Sequence, residues 1–272
     1  MKRLLKSMRY PSATTVVCMV ALMAIAAKAS AADLTARDVT TTLFQSQGDR
    51  PPNFNGKHLD GLDLTGLDFK RASLSNANLF GADLSQANLS GADLSGANLD
   101  RVTLTSARFT GAKLAGASLL RPSAYSTLTP MASEAPNFSG ADMRGIKMFG
   151  RFSRASFANA DLTGATCAPF GKTGFIEEIF RTEFAGSDMS GANLHRANLT
   201  HALLSFANLK GANLSHATLK NADLTGADLS GADITGADLS GADLAGVKLA
   251  GVKGFDQVRG LPYAINADKA IR

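Results

Sequence analysis

The chain has 272 residues, with 28 Lys+Arg against 23 Asp+Glu and a formal net charge of +5. Five of the bases and none of the acids lie in residues 1–29, so the remainder carries 23 of each sign and is neutral. That balance excludes a global basic field for nucleic acid and a global acidic field alike, and two cysteines exclude a disulfide framework.

The first element in chain order is an expected secretory signal over residues 1–31. Lys2, Arg3, Lys6 and Arg9 form a positive end, and Ala13 to Ala27 is an uncharged apolar run. Ala27-Lys28-Ala29 and Ala29-Ser30-Ala31 are both small-x-small cleavage patterns, leaving the cut after Ala29 or after Ala31 open. The run falls short of the ~20 residues that a membrane span needs. The sequence therefore predicts a periplasmic or extracellular protein with no span after cleavage. Cys18 lies inside the run, which argues against a lipoprotein, and leaves Cys167 as the one mature cysteine.

Residues 32–52 read as an N-terminal cap. Asp33 to Gln47 fits a helix, with Thr35 capping it and Asp38 three residues on. Leu34, Val39, Leu43 and Phe44 are expected on one side, Gly48 ends the helix, and Pro51-Pro52 forces an extended exit.

From about Phe54 to Leu249 the sequence repeats every five residues, read most cleanly as A-D-L-S-G from Ala222 onward. Five steps of ~100° would spiral the leucines around a helix, and an odd period would send them to alternate faces of a continuous strand. The unit must bend once per repeat. Ala and Leu two apart point inward from a short extended piece, and Ser-Gly or Thr-Gly turns the corner. A short fixed period of this kind makes stacked coils that bury their apolar sides together. Three tracts of about 14, 7 and 14 units are separated by two insertions, and the middle tract contains a step of only four, from Met148 to Phe152.

The insertions are the candidate docking elements, because a rigid scaffold presents function on its loops. Loop one, 120–137, holds Arg121, Pro122, Tyr125, Pro130, Met131, Glu134 and Pro136; loop two, 168–182, holds Phe170, Phe175, Ile176, Glu177, Glu178, Ile179, Phe180 and Arg181. Partner contact is expected at Phe170, Phe175, Ile176, Ile179, Phe180, Arg181, Arg121 and Tyr125, as aromatic and aliphatic anchors among charges. The competing reading packs loop two on the rod's flank. Beyond residue 254, Phe255, Val258, Leu261, Tyr263 and Ile265 are expected to cover the last coil, with a homodimer contact at this end as the alternative.

The run Ala82-Asp83-Leu84-Ser85 and Ala92-Asp93-Leu94-Ser95-Gly96-Ala97-Asn98-Leu99 resembles the pentapeptide-repeat family, A-[DN]-L-x-x. The resemblance implies an all-β fold, a right-handed quadrilateral β-helix with four repeats per coil over residues 53–254. About 35 repeats then give nearly nine coils and a rod roughly 40 Å long.

No H-E-x-x-H, G-x-S-x-G, P-loop or C-x-x-C pattern occurs, so no enzyme and no cofactor is expected. His58, His195, His201 and His216 all sit at non-central repeat positions; His195 and His216 fall one coil apart but out of column, which does not make a metal pair. Aspartate once per repeat suits a turn rather than a calcium cage. Charge is segregated, with Arg144, Lys147, Arg151 and Arg154 in the middle and Asp223, Asp228, Asp233, Asp238 and Asp243 near the end.

The leading functional expectation is an exported, non-catalytic scaffold that docks an envelope protein by its flat faces and loops. The resemblance supplies a second, a DNA-mimicking binder of type II topoisomerase, which the expected export and the neutral mature charge oppose. The third is a structural protein that self-associates in the envelope.

Overall fold

A computed structural model of the chain describes residues 33–46, 50–168 and 181–271. The chain divides into Met1–Ala31 and Ala32–Arg272, and every described residue lies in the second unit. The expected signal, Gly48 and most of loop two therefore lie outside the described residues.

The first element is helix α1, Ala36–Gln45. Thr35 and Asp38 form a reciprocal capping box, the Thr35 hydroxyl accepting from the Asp38 amide at 3.2 Å and the Thr35 amide donating to Asp38 Oδ2 at 2.9 Å. Val39 is fully buried, and Leu34 and Leu43 pack against the core. Phe44 does not join them and is 73% exposed. It stands five residues from Val39, ~140° around the helix, whereas Leu43 is only ~40° away. Asp33 ties this cap to the rod, its amide donating to the His58 carbonyl at 2.9 Å and its Oδ2 accepting from the His58 amide at 3.0 Å.

The chain then winds as a right-handed quadrilateral β-helix. Each coil contributes one residue to each of four parallel columns of bridged partners. Side one starts at Asn53, side two at His58, side three at Asp63 and side four at Asp68, and each recurs at twenty residues in the uniform stretches. The residue before each bridge and the residue after it point inward, which buries alanines such as Ala92 and leucines such as Leu94 completely. An amide of one coil donates to the coil above and the next to the coil below, as in Leu74 to Asp93 at 2.7 Å and Asp93 to Ala72 at 2.9 Å. The ladder consists of single bridges at most levels, because only one residue per side is free of the corners. The two regular strands are β1, Ser118–Leu120, and β2, Lys147–Phe149, which pair in parallel.

Both insertions leave next to side three. Loop one lengthens the spacing from Arg108 to Asn137, and loop two lengthens it from Arg151 to Glu183. Between them the spacing shortens by one, Asn137 pairing with Ser156, which is where the four-residue step falls. Gly150 absorbs that step at φ 153, and a Cβ there would lie 2.9 Å from Pro122 Cδ. Across these levels the core becomes aromatic. Phe109, Phe138 and Phe157 stack at 4.9 and 5.1 Å, and Phe184 stacks on Phe152 at 5.9 Å.

The C-terminal segment does not fold across the last coil as a plug. It winds one more level. Three 3-10 turns, Phe255–Gln257, Leu261–Tyr263 and Ala267–Lys269, follow left-handed Gly254, Gly260 and Asn266. Each lengthens a side from five residues to six, so Arg259, Ile265 and Ile271 still pair with Asp238, Asp243 and Lys248. Phe255, Val258, Leu261, Ala264, Ala267 and Ala270 face the core, while Tyr263 and Ile265 point outward at 77% and 53% exposure. Side one has ten members without this segment, from Asn53 to Lys253, and Arg259 and Ile271 bring sides two and four to ten as well, rather than the nearly nine coils expected. Among the described residues no helix is long and apolar enough to cross a membrane.

Candidate docking site

Loop one is held at several points. Its first residues turn inward, Ala124 at 2% and Tyr125 at 7% exposure. The Tyr125 hydroxyl donates to the Ser153 carbonyl, and burial pushes the phenol up to about 12. The Arg151 guanidinium lies over the Tyr125 ring at 5.8 Å, donates through Nη2 to the Leu128 carbonyl, and donates through Nε to Glu183 at 3.3 Å. At the far end Glu134 accepts from the amide and hydroxyl of Ser126, and its carbonyl accepts from the Ser106 amide at 2.6 Å. The Ser106 hydroxyl donates to the Ser133 carbonyl at 2.8 Å.

What this clamp presents is an apolar tip. Leu128 is 90% exposed and Met131 46% exposed. A large apolar side chain held out on an ordered loop is already positioned for a partner's pocket, with little ordering cost left to meet on binding. Arg154 is exposed at the left-handed corner after side three.

The expected site residues divide accordingly. Tyr125 is buried and braces the loop, so it is not a contact residue; its ring packs under the loop because its hydroxyl can reach a carbonyl on the next coil. Arg121 is exposed at a left-handed corner. Arg181 is half-buried at the exit of loop two, next to Thr182, whose hydroxyl closes the base of that insertion on the Cys167 carbonyl at 2.6 Å. Phe170, Phe175, Ile176, Ile179 and Phe180 lie outside the described residues. Leu128 was absent from the sequence expectation. It could have been found as the one leucine of the insertion that no repeat position claims.

The remaining chemistry is structural. Cys167 is fully buried, and burial pushes its thiol up to about 12. The His195 and His216 rings meet edge to face at 5.6 Å, with His195 Nδ1 2.8 Å from Ser215 Oγ. Among the described residues no three His, Cys, Asp or Glu side chains converge to hold a metal. A shallow opening at the last coils is lined by Leu249, Ala250, Gly251, Val252 and Phe255.

The profile described as pentapeptide repeats matches eight copies over residues 53–86, 82–119, 180–215 and 212–251. The chain belongs to the pentapeptide-repeat family, whose members are generally non-catalytic scaffolds. No curated protein matches it. Among solved structures it is similar to HetL, a pentapeptide repeat protein involved in heterocyst differentiation regulation from the cyanobacterium Nostoc sp. strain PCC 7120. Identity is 25%, covering 88% of this chain and 94% of that one, with a TM-score of 0.48. It is similar to Rfr23 of the cyanobacterium Cyanothece 51142, at 29% identity over 41% and 63% of the two chains and a TM-score of 0.31. It is also similar to QnrB1, a plasmid-mediated fluoroquinolone resistance protein, at 21% identity over 74% and 88% and a TM-score of 0.41.

Proposed function

We propose that this protein is an exported, non-catalytic scaffold that docks a protein partner of the cell envelope through the tip of loop one. The observation that carries the reading is Leu128, held 90% exposed on a loop clamped by Arg151, Glu134 and Ser106. The tip supplies an apolar anchor that the loop's own bonds hold in place before any partner arrives. Export rests on the sequence of residues 1–31. The acidic coils do not make the unbroken negative face that a DNA mimic needs, because Lys210 and Lys248 pair with Asp228 at 3.4 and 3.8 Å and Lys220 with Asp238 at 3.4 Å.

A photo-crosslinking residue placed at Leu128 in living cells tests the docking. It is expected to yield a discrete protein adduct that the same residue at Lys113, on side one, does not yield. Identical adducts at both positions, or none at Leu128, would sink the reading. The export arm is the N-terminus of the native protein, expected near Ser30 or Ala32 outside the cytoplasm; an uncleaved cytoplasmic chain refutes it.

A further inference from the structure

Side three and the corner after it carry two residues that break the rod's own pattern. Before Arg259, every bridging residue in the four columns is polar or charged except Leu203, which points outward on side three. Three residues on, Phe206 occupies a left-handed corner at φ 58, where other coils place glycine or a polar side chain. It is 72% exposed. Its ring lies along the corner over Gly226, so close that a Cβ at 226 would sit 2.6 Å from Phe206 Cε1. A bulky residue in a strained conformation, buried in nothing, points to a contact outside the chain.

The charges on either side say what that contact is. Leu203 and Phe206 belong to the seventh level of side three, counted from Asp63. Two levels toward the N-terminus Arg154 is exposed, and two levels toward the C-terminus stands Asp243, with Asp223 between. None of these three forms an ion pair among the described residues. At ~4.8 Å per level, Arg154 and Asp243 lie ~10 Å either side of Phe206.

We propose that two copies of this chain pair side by side and antiparallel through side three, about a two-fold axis at the level of Phe206. That axis sets Leu203 on Leu203 and Phe206 on Phe206, and it sets the basic corner of each copy, Arg151 with Arg154 three residues on, against Asp243 of the other, so each contact occurs twice. Parallel rods would place Arg154 on Arg154 and Asp243 on Asp243, and like charge excludes them. Glu183 falls opposite Asp223 but is already paired with Arg151 at 3.3 Å. Gly226 and Gly246 keep the corner flat where the second rod approaches.

Sedimentation equilibrium on the protein purified as the cell makes it tests the pairing. A concentration-dependent dimer is expected, weakening as salt rises. Phe206→Gly is expected to raise the dimer dissociation constant ~10-fold or more. The same change should leave the melting temperature of the monomer equal or higher, because glycine accepts the left-handed corner. Arg154→Asp should weaken the dimer as well, and adding Asp243→Arg to it should restore pairing by swapping the charges. A monomer at every concentration overturns the proposal. So does a dimer that Phe206→Gly and Arg154→Asp leave intact, and so does one lost on Val252→Asp alone, which would mark end-to-end association at the last coil.

Discussion

The aspartate or asparagine before each inward leucine closes the turn that follows it. Asp63 accepts the Thr65 amide at 3.1 Å, Asp161 the Thr163 amide at 3.0 Å, and Asp233 the Thr235 amide at 2.9 Å. The aspartates are thus committed to amides, which is why one per repeat makes corners rather than an ion cage. Leucine at the next position has no slack, since Leu89 is fully buried between coils. Leu89→Lys is expected to cost roughly 3 kcal/mol or more by burying an unpaired ammonium, and thermal melting beside Ser90→Lys, at the half-exposed corner, checks it. A midpoint unchanged by Leu89→Lys would contradict the register. These positions were legible because A-x-L leaves one way to bury two side chains from a five-residue unit. Gly150 was visible only as a missing residue; its reason, Pro122 on the preceding coil, lies 28 positions away in sequence. Leu203 and Phe206 carried a signal too, apolar groups at outward and corner positions, but only the four-column register turns that irregularity into a patch.

At the scale of elements, α1 followed from local rules and most of the loops did not. The capping box places Thr35 and Asp38 three apart, a spacing any sequence displays. Thr35→Ala is expected to lower stability by about 1 kcal/mol, read from chemical denaturation with an unchanged m-value. Loss of nothing would mean that the helix is held by Val39 and Leu43 alone. Loop one has no local code. Its braces join Tyr125 to Ser153 and Arg151 to Leu128, pairs that only the insertion itself brings together. The C-terminal segment misled for a different reason. Its sides grew from five residues to six, and left-handed Gly254, Gly260 and Asn266 took the place of leucine after the bridging residue, so the period was lost although the winding was not.

The whole rod should respond to pH in two windows. Hydrogen bonds from Thr65, Arg144, Ser230 and Thr235 hold Asp63, Asp142, Asp228 and Asp233 below the ordinary carboxylate value of 3.8. Groups depressed in the folded state stabilise it above their unfolded value and lose that contribution as pH falls through the folded one. Cys167 and Tyr125 act in the opposite sense. Burial raises both to about 12 from 9.0 and 10.0, so their contribution is complete below those values and disappears as pH climbs toward 12. The melting temperature is therefore expected to hold a plateau between about pH 5 and 8 and to fall on both sides. A melting temperature that keeps rising below pH 4 would contradict this assignment.

The bonds that join one coil to the next run along the rod, the Leu74 amide to the Asp93 carbonyl being one of them. A pull between the two ends therefore opens the seams singly, each broken seam handing the load to the next. A uniform coil of twenty residues frees about 65–70 Å of chain when it lets go. The coils that carry the insertions, from Arg108 to Asn137 and from Arg151 to Glu183, free more. Under tension the molecule lengthens in discrete steps, with the longest steps at its waist, where loop one is clamped.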